Sequence, residues 1–132
     1  MHNTLTIISL GLYLLACALP AYKLDNSTYQ PGVGCLIVGI LAILYNATAF
    51  MAWLANIPYF VGVIFNFYPH TKVPIWVIVA QCIGLAMSFG AFGVKKFLLD
   101  EAGHESNATI TYGAFVWIIA MALMLVASFF RR

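Results

Sequence analysis

The sequence predicts an all-α protein: a polytopic membrane helix bundle of four full spans plus a short broken-helix segment, with five spans as the alternative. Three observations predict it. Of 132 residues, 64% are hydrophobic and only 8% are charged, where a soluble domain carries about a quarter. The mean hydropathy is +0.97. Every Lys, Arg, Asp and Glu lies between or beyond a few long apolar runs. Those runs are continuous rather than alternating, the pattern of helices and not of a barrel. The same figures exclude a disordered chain and argue against a soluble enzyme, a nucleic-acid binder or a disulfide scaffold. Membrane lipid is the one partner the composition names directly.

A spanning helix needs about 20 apolar residues, and one domain over residues 1–132 supplies the runs. The first is Leu5 to Ala21. No positive residue precedes it except His2, so it reads as a retained helix rather than a signal peptide. The second begins at Gly32, and no charge appears until after Tyr68. One straight helix of that length would reach about 55 Å at 1.5 Å per residue, against a bilayer core of about 30 Å. The segment therefore breaks, and Asn56-Ile57-Pro58 is the expected place: Asn caps helices and Pro is tolerated in a first turn. That predicts a full span from Gly32 to about Leu54 and a short segment from Ile57 to Tyr68. Val73 to Val94 and Ile110 to Phe130 complete the set.

Lys and Arg counts set the orientation. With four crossings, Lys72, Arg131 and Arg132 face Lys23, Lys95 and Lys96, and the amino terminus and His70 tip the balance. With five crossings the count is four against two. Both arrangements put the C-terminus in the cytoplasm and the Lys95–Thr109 loop outside. Tyr22, Tyr29, Tyr45, Trp53, Tyr59, Tyr68, Trp76 and Tyr112 lie near the proposed helix ends, where such rings anchor at the headgroup level.

Candidate chemistry is sparse. Ionisable side chains inside spans would be the default functional residues, and the apolar runs have none. No cofactor is expected: the histidines His2, His70 and His104 sit outside the runs, and the methionines read as packing. Cys17, Cys35 and Cys82 form no CxxC and read as small packing residues. Asn46, Asn56, Asn66 and Gln81 are candidates for a small polar cavity around the broken helix, since discontinuous helices build uncharged sites in transporters; interhelical hydrogen bonding is the plainer role. Gly34 and Gly39, and Gly84, Ser88 and Gly93, form small-residue grooves for helix packing or partner contact. Asp100, Glu101, His104 and Glu105 cluster in the Lys95–Thr109 loop. Asp100 and His104 have i,i+4 spacing that suits a metal only in a helix, and Gly103 argues for a turn, so a solvated loop is expected.

The run Gly32-x-Gly34-Cys35-Leu36-x-x-Gly39, then Trp53-Leu54-Ala55-Asn56-x-Pro58, then Ser88-Phe89 and Asp100-Glu101, resembles a family of small multi-spanning bacterial inner-membrane proteins, in order over about the whole chain. That pattern usually has Pro directly after the Asn and Gly-Gly after Asp-Glu; here Ile57 and Ala102-Gly103 stand there. The resemblance implies location and architecture and brings no activity. Three functions compete. First is a non-catalytic partner of other membrane proteins, either an accessory subunit or an immunity-type protein against a pore-forming toxin, or self-association. Second is an oligomeric channel or small-solute carrier built around the broken helix near Asn56-Pro58. Third is a membrane enzyme using the outer loop.

Overall fold

A computed structural model describes residues 1–68, 72–98 and 103–132. The chain is mostly helical, in the order α1 (His2–Ala18), β1 (Pro20–Leu24), β2 (Tyr29–Pro31), α2 (Gly32–Val38), α3 (Ala47–Leu54), α4 (Asn56–Phe67), α5 (Ile75–Ser88), β3 (Lys96–Leu98), β4 (Glu105–Ile110) and α6 (Tyr112–Phe130). Tighter 3₁₀ turns extend α2 through Gly39–Leu44 and α5 through Phe89–Gly93. Three helical rods are long and apolar enough to cross a membrane: Ala47–Phe67, Ile75–Gly93 and Tyr112–Phe130. The 17-residue α1 runs antiparallel along α6, with its Ser9 hydroxyl bonded to the Ala120 carbonyl.

The expectation of an all-α chain is corrected by a four-stranded antiparallel sheet of order β2-β1-β4-β3. It is made from what the sequence offered as loops. β1 pairs with β4 through Tyr22↔Ile110, Lys23↔Thr109 and Leu24↔Ala108. β3 pairs with β4 from Lys96↔Asn107 to Leu98↔Glu105, so the described parts of the Lys95–Thr109 segment are mostly paired strands. Because β1 follows α1 and β4 precedes α6, their pairing clips these two helices together at one end, the cap end. A tight turn closes β1 onto β2: Ser27 takes a positive φ of 63° and Asn26 Oδ1 accepts from the Thr28 amide. At the opposite end the Val73 amide bonds to the Arg131 carbonyl, and the Arg131 guanidinium donates to Tyr68 O.

The second correction concerns the break. The chain turns at Tyr45-Asn46, where both residues leave helical geometry and the Asn46 side chain accepts from the Ala49 amide. That is an N-cap. Ala55 keeps right-handed helical angles, φ −58° and ψ −21°, so α3 and α4 continue as one rod through Pro58. Pro58 has no N–H for the Leu54 carbonyl, which accounts for the one-residue interruption. The short piece is therefore Gly32–Leu44, not Ile57–Tyr68. It starts at the cap end, where the Gly32 amide bonds to Leu19 O. It also ends there, since Thr48 of α3 packs against Gly90 and Gly93.

The core forms where these rods cross. Tyr13, Ala55, Tyr59, Ala120, Met121 and Met124 make its centre. A second cluster, Ala21, Tyr22 and Val94, lies under the sheet, and a third, Val73, Val77 and Ile78, lies at the opposite end. Small side chains dominate the buried apolar set, as expected where helices associate by close approach.

Candidate functional site

Two features of the interior carry chemistry: a seam of uncharged polar side chains and an apolar chamber above it. The seam begins on α1. Thr6, Ser9, Tyr13 and Ala16 recur every three or four residues and form its buried stripe, the face turned to the bundle. Ser9 gives its proton to the Ala120 carbonyl at 2.6 Å, so Tyr59, 3.2 Å from Ser9, donates its own hydroxyl to Ser9. Tyr13 stacks on Tyr59 with ring centroids 4.5 Å apart. Tyr13 then donates to Asn56 Oδ1 at 2.8 Å, and Trp117 Nε1 donates to the same oxygen at 3.0 Å. Asn56 Nδ2 closes the hub by donating to Trp53 O at 2.7 Å. Nearer the opposite end, Asn66 Nδ2 donates to Gly62 O at 2.9 Å and to Ser128 Oγ at 2.7 Å.

Above Asn56, toward the sheet, lies a cavity of about 110 Å³. Tyr13, Cys17, Cys35, Tyr45, Trp53 and Trp117 line it along with Asn56. Several of its polar groups are engaged with this chain. Trp53 Nε1 donates to Leu36 O at 2.8 Å, Tyr22 donates to Ala91 O at 2.7 Å, and Asn56 Oδ1 already accepts two bonds. The wall therefore offers a guest mainly apolar contact. Burial beneath the sheet raises the Tyr22 phenol above its ordinary range, which keeps the proton it donates. Burial likewise raises the Cys35 thiol, the opposite of what a reactive thiolate requires. Between β3 and β4, Glu105 accepts from Lys96 at 2.8 Å and raises its pKa. That pair is exposed, so it fixes hairpin register more than stability.

The four amides singled out in the sequence do not share one cavity. Asn46 caps α3 at the cap end. Asn56 does not cap α4; its side chain turns inward as the hub below the chamber. Asn66 and Gln81 lie in the bundle on the other side of Tyr59 and Met124. The small residues pack against this chain itself. An added Cβ would fall 2.5 Å from Gln30 at Gly34, 2.4 Å from Trp53 at Gly39, 2.4 Å from Pro58 at Gly84 and 2.7 Å from Thr48 at Gly93. Ser88 is fully buried and bonds back to Leu85 O. Gly84 makes the room that Pro58 needs inside the rod, so a bulky residue there displaces Pro58 before it displaces any partner. Asp100 and Glu101 lie outside the described residues, and with them half of the acidic cluster. Among the described residues no group of three His, Cys, Asp or Glu side chains is placed to hold a metal.

Sequence reasoning missed Ser9, Tyr13, Tyr59, Trp117 and Ser128. The first two were visible as the polar stripe of α1. Of the aromatic residues expected at the membrane interfaces, three are corrected: Tyr22 and Tyr59 are buried, and Trp53 packs over Gly39. Compared with protein-family models, with curated proteins and with solved structures, the chain matches none.

Proposed function

We propose that the chain is a non-catalytic integral protein of a bacterial inner membrane that works by contact with other proteins in the bilayer, as an accessory or immunity-type subunit. In this reading α1 and the three long rods make four crossings. The sheet cap faces outward and the C-terminal arginines lie in the cytoplasm. The observation that carries it is a contrast between inside and outside. Most interior hydrogen bonds of the seam close on this chain, which makes the bundle a fixed scaffold. Only 28%, 33% and 39% of the residues in the three candidate spans are buried inside the bundle, and each span exposes large apolar side chains. Ile64, Ile83, Phe115 and Ile119 stand out among them. Because the small-residue grooves are filled internally, partner contact falls to these larger side chains. A photo-crosslinking residue at each of the four, in native membranes, should give a discrete protein adduct from one side of the bundle. Lipid adducts alone at all four would remove the contact reading.

A second reading follows from the chamber. Asn56 lines it, so a carrier remains the alternative proposal. The chamber's mainly apolar wall, however, favours an apolar guest over a polar solute.

A further inference from the structure

Among the described residues, three buried side-chain polar atoms lack a hydrogen-bond partner: Asn66 Oδ1 and both Nε2 and Oε1 of Gln81. Native interiors pair such groups with protein or with ordered water. Gln81 is 5% exposed, so bulk solvent does not serve it. The chain also makes space for this amide. A Cβ on Gly62 would fall 1.6 Å from Gln81 Nε2, so the amide lies against bare glycine backbone. Beside it is a small, partly open space of about 10 Å³, walled by Gln81, Pro58, Tyr59, Leu85, Met121 and Met124. A site for one water needs about 10–15 Å³, and the water needs two or more polar partners. We propose that a single ordered water occupies this space inside the bundle, accepting from Gln81 Nε2 and donating to Gln81 Oε1. Both ends of one amide then become satisfied at once. The thioethers of Met121 and Met124, on the same wall, are weak acceptors for the remaining proton. The volume leaves no room for a larger guest, which separates this site from the apolar chamber nearer the sheet.

The test is water-to-protein magnetisation transfer by NMR on the full chain, isotope-labelled and reconstituted in a phospholipid nanodisc. The expected result is cross-peaks at the water frequency, with the sign of a long-lived bound molecule, from the Gln81 side-chain amide protons and the Met124 methyl. The fully buried Val77 methyls should show none. Gln81→Met, which keeps volume and removes the amide, should erase the Met124 cross-peak. If that variant fails to fold, the wild-type spectrum decides alone. Gln81 amide protons with no water cross-peak overturn the proposal, and so does a Met124 cross-peak that survives in folded Gln81→Met.

Discussion

Asn56→Leu should be the most damaging polar substitution in the bundle. The Asn56 carboxamide oxygen accepts from both Tyr13 and Trp117, and its nitrogen donates to Trp53 O. Leucine matches its size roughly but leaves the buried Tyr13 phenol and the half-buried Trp117 N–H without an acceptor. Each orphaned donor costs about 1–3 kcal/mol, so the loss should reach about 2–6 kcal/mol, a large share of a small protein's stability. Thermal unfolding in detergent should show a drop of many degrees, or no monodisperse protein at all. Asn107→Leu is the comparison. That residue is exposed and makes one bond, to Asp25, so its replacement should shift stability by no more than about 0.5 kcal/mol. Equal effects would mean that Asn56 is not a hub.

Two glycine-to-alanine changes should move stability in opposite directions. At Gly32 the new Cβ would lie 2.2 Å from the Ala16 carbonyl oxygen and 3.1 Å from Cys17 Cα. Both are backbone atoms, so no rotamer relieves the clash. The start of α2 must lift off α1 and strain the bond from the Gly32 amide to Leu19 O. Overpacking of this kind costs about 1–3 kcal/mol or more. Gly11 lies mid-way along α1 with nothing within 4 Å of an added Cβ. There alanine only gains helix propensity, about 0.5–1 kcal/mol. A melting comparison of Gly32→Ala, Gly11→Ala and the parent checks both signs.

How much of this was legible varies with the range of the interaction. Long apolar runs separated by charge are local, and they yielded the rods. The choice between Asn46 and Asn56 as the break was not local. Both are followed by plausible first turns, and Pro58 favours Asn56 on local grounds. Pro58 stays inside a rod because Gly84, on a different helix, vacates the space its ring occupies. That compensation is tertiary. The sheet was hidden for a similar reason: β2 and β3 have three residues each, and Tyr22 pairs with Ile110, far along the chain. The polar seam was half visible. The Thr6-Ser9-Tyr13 spacing marks one face of α1, while Tyr59 and Trp117 carry no local sign that their polar ends turn inward.

The central claim is the arrangement of the rods: Gly32–Leu44 starts and ends at the cap end, and Ala47–Phe67 crosses the membrane as one span. Thiol labelling of whole cells tests it most directly. Single cysteines at Ser27, Tyr45 and Tyr68, in a chain with Cys17, Cys35 and Cys82 replaced by alanine, would be probed with a membrane-impermeant maleimide. The account predicts that Ser27→Cys and Tyr45→Cys label from outside, and that Tyr68→Cys labels only after the cells are opened. Labelling of Tyr45→Cys only in opened cells, with Ser27→Cys still reactive from outside, would make Gly32–Leu44 a crossing and contradict it.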